Sequence, residues 1–569
     1  MTPTATAKIT FISAGAGSGK THRLTEILHQ QLTRKGVRPS GVIATTFTKK
    51  AATELRERVR AHLLAQGDFA LANSIGQARI GTVNSVCGAL VARFAFEAGM
   101  ATEQQVLEEV QADALLAKAI DAVMDGPAMA SFLAVVRRLG LIEDWRDELK
   151  ALVELVRAND IETNRLAEFA RANASDLLAH FPKATGEDLT SQLLKSIRTA
   201  LPGIASAAQS GGKQNTNKYL TFLRGFERDL VSGGASWSDW VKLSKMLPEV
   251  ALKPLAEPIA DVANRVAEHQ LLHADITRCL SQMFQLCGQA LDRYASAKRE
   301  LGGLDFADQE HFLLKLLDHP TVAQVLSEEL DLLLVDEFQD TSPIQLALFL
   351  KLANFAKAVY WVGDIKQAIY GFRGSDAELM RAILKALPQL GGSLEVLPAS
   401  WRSRSELVKL VNAIFGHAFT KSLPEAEIAL TSTRNDRLPG APIANWILGG
   451  RNAGLEASAL AAGIRRLVQT RYQVIDKGAI APRDVSFGDI AVLCRSNDGV
   501  KVITAALRAQ GIPSATSQPG LLATPEVTLA LACLRRLNDP SDTIATAEIL
   551  SLADCLEPEE WVADRKSVV

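Results

Sequence analysis

The sequence predicts an α/β protein in which a parallel sheet is interrupted by a large helical insertion. Three observations support this fold class. A glycine-rich loop follows an apolar, β-branched run near the start of the chain, a long central region shows helical periodicity, and later apolar runs end in carboxylates and other polar residues. Because 569 residues are too many for one hydrophobic core, several domains are expected.

The first strand is predicted over residues 8–14, directly before the glycine-rich loop. A helix is predicted from about Lys20 to Lys35, and the apolar run from Val42 to Thr46 predicts the next strand. The order strand, loop, helix, strand is typical of a parallel sheet whose faces are covered by helices.

The region from about Glu103 to Arg299 differs from what precedes it. Ala, Leu, Arg and Glu dominate there, apolar residues recur at helical spacing, and no convincing strand is visible. This region is interpreted as a helical insertion within the α/β domain.

Strand patterns resume after this region. Residues 332–335 and 359–362 are short apolar runs, and residues 441–448 and 489–495 are further strand candidates in a later α/β section. The sheet is therefore expected to be assembled from segments on both sides of the insertion.

Composition and charge exclude some classes of protein. Hydrophobic residues make up 47% of the chain and charged residues 22%, as in soluble globular proteins, and the net charge of -2 neither favours nor excludes nucleic-acid binding. The first apolar stretch, preceded by the single charge of Lys8, is too short for a signal peptide. The most apolar long stretch, around Ala119 to Ile142, is broken by charges and a proline, so no membrane span is expected. None of the six cysteines forms a Cys-x-x-Cys pair, which predicts free thiols in a reducing, cytoplasmic compartment.

The glycine-rich loop is a predicted phosphate-binding loop. Its glycines allow a tight turn that directs backbone N–H groups at phosphate oxygens, and the following helix adds its positive N-terminal end. Lys20 can reach the terminal phosphates, and the hydroxyl of Thr21 can ligate Mg²⁺. The alternative is a glycine-rich turn with a chance lysine. The residues of the predicted phosphate site are Ala14, Gly15, Ala16, Gly17, Ser18, Gly19, Lys20 and Thr21.

Two adjacent carboxylates, Asp336 and Glu337, follow four apolar residues, as at the end of a buried strand. The first suits Mg²⁺, directly or through water, and the second suits polarisation of an attacking water. On its own, this pattern also fits the start of a helix. It indicates a nucleotide site because the same chain contains a predicted phosphate loop. Lys20 and Asp336 are 336 − 20 = 316 positions apart, so a large insertion must separate them.

A glutamine follows the next predicted strand, within Gly363-Asp-Ile-Lys-Gln367. At a strand end, Gln367 can contact both a water molecule and the γ-phosphate, and so report the state of a nucleotide. Considered alone, the segment would be interpreted as a polar turn.

These segments together resemble the motifs of superfamily 1 helicases of the UvrD/PcrA/Rep type, in particular those of the AddA and RecB subunits of recombination helicase–nucleases. Six motifs occur in the family's order, which is a far more specific signal than any one of them. They are residues 14–21, 45–55, 81–85, 335–341, 362–374 and 400–403. The stretch 304–308, Leu-Asp-Phe-Ala-Asp, is also similar to an element found before the Asp-Glu strand in this group.

The resemblance implies roles in ATP hydrolysis for residues of a first motor domain. Lys20 and Thr21 would bind phosphate and Mg²⁺. Asp336 would hold Mg²⁺, and Glu337 would activate the attacking water. Gln367 would sense the γ-phosphate.

Later motifs complete the implied nucleotide site. Arg373 would sense the γ-phosphate together with Gln367. Arg402 would stabilise charge on the transferring phosphate from the second motor domain, as an arginine finger does. Trp401 matches an aromatic residue that stacks on adenine.

Seven further positions match residues near single-stranded DNA in the family. Aromatic side chains suit this place because the face of any base can stack on them. Without the surrounding motif, core packing would be the favoured interpretation of Tyr370 and Phe372. Asn84 stands where the family commonly has His, which is expected to alter a DNA contact, and Gly371 stands where a bulkier or basic residue is common, which is expected to loosen one. The matching positions are Thr46, Phe47, Thr82, Asn84, Ser85, Tyr370 and Phe372.

The function that the resemblance implies is that of an ATP-dependent 3′→5′ DNA helicase or single-stranded DNA translocase in repair and recombination, with ATP and Mg²⁺ as cofactors. Single-stranded DNA and duplex junctions are the expected partners, together with a second helicase–nuclease subunit as a protein partner. One function of a different class stays open: a DNA-binding scaffold whose ATP site acts as a switch with little turnover. ATPase activity stimulated by single strands separates the two.

The resemblance also implies a RecA-like P-loop motor domain with the helical insertion, followed by a partial second RecA-like domain. Two segments typical of the end of the second motor domain, and a nuclease signature, are not found in the sequence. The chain is therefore expected to be truncated, to bind nucleotide, and to unwind DNA poorly or not at all. The expected domains are residues 1–100 and 299–393 for the first motor domain, 101–298 for the insertion, 394–540 for the partial second motor domain, and 541–569 for the start of a second insertion.

Overall fold

The structure, a computed structural model, describes residues 9–553 apart from short gaps. The gaps are residues 35, 102–103, 125–126, 142–144, 211–213, 370, 372–376, 435–437, 439–440, 477–478, 480, 517–521 and 523. The chain divides into two compact units, Met1–Ser403 with Val408–Arg434 and Arg404–Leu407 with Asn435–Val569, and each unit is treated by itself.

The secondary structure of the described residues consists mainly of helices with short strands. The strands are β1 (Ile9–Ala14), β2 (Val42–Thr46), β3 (Arg79–Thr82), β4 (Gln105–Val106), β5 (Gly303–Leu304), β6 (Leu332–Val335), β7 (Ala358–Gly363), β8 (Ser393–Leu397), β9 (Ala399–Arg404), β10 (Thr431–Arg434), β11 (Gln473–Val474) and β12 (Arg483–Asp484). The α-helices are α1 (Lys20–Leu32), α2 (Lys49–Ala65), α3 (Phe69–Ser74), α4 (Val83–Arg93), α5 (Glu109–Ala122), α6 (Pro127–Leu139), α7 (Trp145–Ala158), α8 (Leu166–Leu178), α9 (Leu189–Gln209), α10 (Gln214–Ser232), α11 (Trp237–Lys245), α12 (Lys253–Asn264), α13 (Gln270–Glu300), α14 (Phe306–Leu316), α15 (Pro320–Glu329), α16 (Pro343–Ala353), α17 (Ala377–Ala386), α18 (Ser405–Phe419), α19 (Glu425–Ile428), α20 (Ala453–Gln469), α21 (Asn497–Ala509), α22 (Pro525–Asn538) and α23 (Thr543–Ala553).

One parallel sheet organises the first unit. Its strands in the described part of the chain lie in the order β3-β2-β6-β7-β1-β8. Successive side chains of a strand point to opposite faces, so Ile12 of β1 packs in the core beneath α1 and α2, while its neighbour Phe11 packs with residues of α4, α14 and α16. Both faces are therefore covered, as a parallel sheet of continuous apolar strands requires.

Four of these strands match the sequence prediction. The segments predicted over 8–14, 42–46, 332–335 and 359–362 form β1, β2, β6 and β7. β3 was not predicted, and β8 pairs with β1 although it begins at the predicted boundary between the two motor domains. The sheet of the first unit thus extends a few residues beyond position 393, and the predicted domain division stays a prediction.

Two short paired strands hold the ends of the helical insertion together. β4 pairs in parallel with β5, with Gln105 opposite Gly303 and Val106 opposite Leu304, and α5 to α13 lie between them. The 31-residue helix α13 packs against α5, α6, α7 and α8. The region is helical as predicted, apart from β4, because two residues are too few to give an alternating pattern.

A buried charge cluster connects the insertion to α14. Asp305 is the N-cap of α14, and its carboxylate accepts hydrogen bonds from Lys298 Nζ at 2.9 Å and from the Tyr294 hydroxyl at 2.6 Å. Arg157, on α7, donates to its other oxygen. Burial alone would raise the pKa of Asp305, but Arg157 and Lys298 outweigh burial and hold that pKa well below its usual range.

The second unit contains α20 to α23 and the antiparallel pair β11–β12. The strand predictions for residues 441–448 and 489–495 are wrong: the described residues there lie outside any strand. An isolated apolar run cannot form a strand without a neighbour that accepts its backbone hydrogen bonds, and Leu493 is 96% exposed. The small core of this unit includes Ala461, Ile464 and Leu507 instead.

Two compositional predictions can be compared with the described residues. None of their helices combines the length and apolar character needed to cross a membrane. The five cysteines among them, Cys87, Cys279, Cys287, Cys494 and Cys533, are free thiols, as predicted.

The contact between α14 and α16 contains a buried carboxyl group. Gln345 Nε2 donates to Glu310 Oε1 at 2.6 Å, and the Gln345 carbonyl oxygen accepts from the backbone N–H of Ser342, the N-cap of α16. Burial raises the pKa of Glu310 to about 7, although the Gln345 hydrogen bond opposes that rise.

This raised pKa predicts a pH-dependent stability. The folded state holds a proton on Glu310 between pH 4.5, its ordinary pKa, and about pH 7, so stability falls as the pH rises through this interval, by up to about 3 kcal/mol. Glu310→Gln keeps the acceptor for Gln345 without a titratable group. We expect it to match the wild type near pH 4 and to be more stable at pH 8 in urea unfolding. Glu300→Gln, at an exposed site, is the control, and equal pH profiles for wild type and Glu310→Gln would contradict this assignment.

Candidate functional site

The phosphate loop lies between the end of β1 and the start of α1, as predicted. Gly17 and Gly19 have φ angles of 77° and 87°, a left-handed conformation that side chains disfavour. Gly19 is the N-cap of α1, so the first backbone N–H groups of this helix face the loop. The Ser18 hydroxyl is buried and has no hydrogen-bond partner in the part of the chain that the structure describes, as expected for a group that awaits a ligand.

Lys20 brings the two halves of the predicted nucleotide site together. Its Nζ lies 3.3 Å from Asp336 Oδ1 and also contacts Glu337 Oε1. Burial lowers the pKa of Lys20, but the two carboxylates outweigh burial and raise it, so the ammonium stays charged. This contact is possible because β6, which ends before Asp336, is separated from β1 only by β7.

Two carboxylates contact this ammonium group, and the charge of the ammonium also acts on a third, that of Asp340. Burial raises the pKa of Asp336 above its usual range in spite of Lys20. Burial and the neighbouring Glu337 raise the pKa of Asp340 to about 6. Carboxylate oxygens are the donor atoms that a hard divalent cation prefers. The residues therefore fit Mg²⁺.

The described residues contain no cluster of three His, Cys, Asp or Glu side chains that could enclose a metal. Mg²⁺ usually takes one or two protein ligands and completes its shell with phosphate and water. Thr21, the other predicted ligand, is half-buried in the first turn of α1 beside Lys20.

Glu337 has an unusual backbone conformation. Its φ is 50°, in the left-handed region that a non-glycine residue adopts at a cost of about 1 kcal/mol or more. The backbone N–H of Glu337 donates to Asp336 Oδ1 at 2.9 Å, which supports the turn. Such strain concentrates at functional sites because it fixes a side chain in a required direction.

Sequence reasoning missed two residues that link Glu337 to Gln367. Gln339 Nε2 donates to Glu337 Oε2 at 2.9 Å, and Gln339 Oε1 accepts from the backbone N–H of Asp364 at 3.0 Å. Gln367 Nε2 donates in turn to Asp364 Oδ2 at 2.8 Å. Gln339 lies in the motif 335–341 and Asp364 in the motif 362–374, so their positions in the sequence indicated this site. Their hydrogen-bond partners could not be predicted, because they depend on β6 and β7 being neighbours in the sheet.

The segment with Trp401 and Arg402 lies against the phosphate loop. The Trp401 backbone N–H donates to Gly17 O at 2.8 Å. A Cβ on Gly17 would lie 2.6 Å from the Arg402 Cβ, so only glycine fits beneath this strand. The Trp401 side chain is 66% exposed and lies next to Gly19, which leaves its ring free to stack.

Five of the residues predicted to lie near DNA are described, and they lie where β2 ends and where β3 passes into the first turn of α4. These strands pair, with Thr46 opposite Thr82. Phe47 is 37% exposed, but Thr46 is buried and its hydroxyl donates to Thr48 O at 3.1 Å.

The β3 end continues directly into α4. Thr82 is the N-cap of α4, and its hydroxyl accepts from the Ser85 N–H at 3.2 Å. The Ser85 hydroxyl donates to Thr82 O at 2.8 Å. Asn84 Oδ1 is buried and has no partner in the described part of the chain. Tyr370, Phe372 and Arg373, predicted to act at the DNA and the γ-phosphate, lie outside the described residues.

Curated relatives of the chain are proteins named as the A subunit of an ATP-dependent helicase/nuclease. The protein from Natranaerobius thermophilus is 25% identical over 98% of this chain and 51% of its own length. Those from Listeria welshimeri and Streptococcus pyogenes are 23% and 25% identical over 95% of this chain, and 50% and 49% of their own lengths. The chain thus spans about half the length of the curated relatives it matches.

Two family profiles cover almost the whole chain. Residues 2–388 match the UvrD/REP helicase N-terminal domain, and residues 396–555 match the UvrD-like helicase C-terminal domain. The resemblance inferred from the six sequence motifs is confirmed, and the chain belongs to the UvrD-like helicase family.

Proposed function

We propose that this protein is an ATP-dependent DNA helicase that acts in DNA repair and recombination. The observation that carries the proposal is the contact of Lys20 with Asp336 and Glu337 at the mouth of the phosphate loop. A loop for phosphates, a carboxylate for Mg²⁺ and a second carboxylate for water are the parts that nucleotide hydrolysis requires. The match to a helicase family supports the proposed action on DNA.

The proposed hydrolysis uses the contacts of the site directly. Lys20 leaves the two carboxylates and binds the terminal phosphates of ATP, which leaves negative charge at the strand end. Thr21 and Asp336 would hold Mg²⁺, which neutralises phosphate charge when bound. Glu337, fixed by its strained backbone, then orients the attacking water.

Residues of later motifs complete the proposed reaction. Gln367 senses the γ-phosphate through the hydrogen-bond path that runs from Asp364 and Gln339 to Glu337. Arg373 joins Gln367 in this role, Arg402 stabilises the transferring phosphate, and Trp401 stacks on adenine. The last two are proposed from their position beside the phosphate loop.

The proposed DNA site lies at the same edge of the sheet. Phe47 follows β2, Thr82 ends β3 and Ser85 lies in the first turn of α4, while β2 is next to β6, which Asp336 follows. A change at the nucleotide therefore reaches the DNA residues through one strand contact. This arrangement supports translocation along single-stranded DNA, and Thr46, Asn84, Tyr370 and Phe372 belong to the same proposed interface.

Finer features of the proposal follow from the family. They are the 3′→5′ direction, the RecA-like architecture of the first motor domain and of a partial second one, the domain bounds given above, and a partner helicase–nuclease subunit. The name of the relatives supports that partner. The cytoplasmic location stays a prediction from the free cysteines.

Substitution of the two central residues tests the proposal. We expect Lys20→Ala and Glu337→Gln each to reduce ATPase activity stimulated by single-stranded DNA at least about 100-fold, because each removes a group that acts on the phosphates or the water. Fluorescence anisotropy with a labelled single strand should show DNA binding retained in both. Lys351→Ala, at an exposed ion pair with Asp318, is the control with full activity. DNA binding in the wild type with negligible ATP turnover would instead support the scaffold with an ATP switch.

Gln339 provides a test of the hydrogen-bond path. Gln339→Leu removes the bonds to Glu337 and to the Asp364 backbone, and should lower kcat about tenfold because a hydrogen bond to a charged group contributes about 1.5–3 kcal/mol. ATP affinity, measured with a fluorescent analogue, should change by less than about threefold, which is the scatter between surface mutants. Gln324→Leu, at an exposed position on α15, is the matched control. An unchanged kcat in Gln339→Leu would mean that the path has no role in hydrolysis.

A further inference from the structure

A buried lysine that the proposed hydrolysis does not use follows β7. Lys366 Nζ lies 2.7 Å from Asp364 Oδ1, and the two side chains are only 5% and 4% exposed. The same Nζ donates to the backbone carbonyl oxygen of Glu427, in the short helix α19, at 2.5 Å. A buried ammonium group depends on such partners, because they replace the water that it has lost. Lys366 thus ties the turn after β7 to α19, 61 positions further along the chain.

One end of this tie lies at the nucleotide site. Asp364 Oδ2 accepts from Gln367 Nε2 at 2.8 Å, and the Asp364 backbone N–H donates to Gln339 Oε1. A Cβ on Gly15 would lie 3.6 Å from Asp364 Oδ2, so this carboxylate is directly beside the phosphate loop. The charge of a bound phosphate chain would therefore act on Asp364 and on the ammonium group paired with it.

The segment after α19 also contacts the phosphate loop. A Cβ on Gly15 would lie 3.1 Å from Leu430 Cδ1, so the Leu430 side chain covers this glycine. The Asn412 side chain fixes the Leu430 backbone, because it accepts from the Leu430 N–H at 3.0 Å and donates to the Leu430 carbonyl oxygen at 2.8 Å. β10 begins at the next residue, so α19, Leu430 and β10 follow one another without a loop between them.

β10 in turn pairs with the strand that carries Arg402. β9 and β10 form a two-stranded sheet. Thr433 Oγ1 donates to Ser400 O at 3.0 Å. Arg434 Nη1 donates to Arg402 O at 2.9 Å. One backbone hydrogen bond from β9 to the phosphate loop fixes the place of this strand, but a single bond does not fix its direction. The direction in which Arg402 leaves β9 therefore depends on where β10 is held.

We propose that Lys366 is a positioning residue for Arg402, because its ammonium group holds α19 and β10 against the turn after β7. Without that group, the Asp364 carboxylate and the Glu427 carbonyl oxygen would be two buried acceptors that repel each other. α19 would then move away from the turn, and β10 and Arg402 would move with it. This inference rests on the proposed hydrolysis of ATP and assigns a role to a residue that does not itself touch the nucleotide.

A double-mutant cycle in kcat, measured with the full chain and single-stranded DNA, tests this role. Lys366→Met removes the ammonium group and keeps the length of the side chain. We expect it to lower kcat about 100-fold, the loss typical of a catalytic group displaced by about 1 Å. The Kd of a fluorescent ATP analogue should change by less than about threefold, because Lys20 and the loop are unchanged. In the Arg402→Ala background, Lys366→Met should lower kcat by less than about twofold, because the group that it misplaces is already absent.

Two further variants keep the test informative, and radiolabelled ATP resolves the low rate of Arg402→Ala. Asn412→Leu releases the Leu430 backbone without touching the turn after β7. It should lower kcat in the wild type but not in the Arg402→Ala background, and it tests the same connection if Lys366→Met folds poorly. Lys409→Met, at an exposed position on α18, is the matched control and should behave as the wild type.

The outcomes separate this role from its alternatives. If Lys366→Met and Asn412→Leu lower kcat as much in the Arg402→Ala background as in the wild type, they act through folding or through Asp364, and the positioning role is refuted. A wild-type kcat in a folded Lys366→Met variant would also refute it. In both cases the proposed hydrolysis of ATP stands. If the wild type hydrolyses no ATP, the proposed function itself fails, and the positioning role with it.

Discussion

The contact between the Lys20 ammonium and the carboxylates of Asp336 and Glu337 is the constraint on which the rest of the first unit depends. It joins residues that are 336 − 20 = 316 positions apart in the sequence. The sheet order, in which β1 and β6 flank β7, brings these groups together, and an insertion that leaves and returns at one place preserves that order. The β4–β5 pair and the buried charges around Asp305 meet this second requirement, because they fix both ends of the insertion at the start of α14.

The site holds more negative charge than its lysine can neutralise, and its backbone is strained at Glu337. Both features cost folding free energy, and both fit a site that gains a cation and a phosphate chain when nucleotide binds. Gln339 connects the negatively charged end of β6 to the turn after β7. We therefore propose that nucleotide binding and DNA binding are coupled through adjacent strands of one sheet, which is the shortest connection between the two sites.

The sequence predicted most of what depends on local pattern. The phosphate loop, the strands β1, β2, β6 and β7, and the helical insertion all follow from periodicity and glycine placement. The hydrogen-bond partners of Gln339 could not be predicted, because they depend on which strands become neighbours in the sheet. The strand predictions at 441–448 and 489–495 were wrong for a related reason, since an apolar run forms a strand only where another strand pairs with it.

The central claim is that the phosphate loop and the Asp336–Glu337 turn form a single nucleotide site. A double-mutant cycle of Lys20→Ala and Asp336→Asn, with Mg²⁺-ATP affinity measured by isothermal titration calorimetry, tests it most directly. If both groups act on the same phosphates, the double mutant should lose less binding free energy than the sum of the single mutants, by about 1 kcal/mol or more. Losses that add to within about 0.5 kcal/mol would show that the two groups act independently, and would contradict the account.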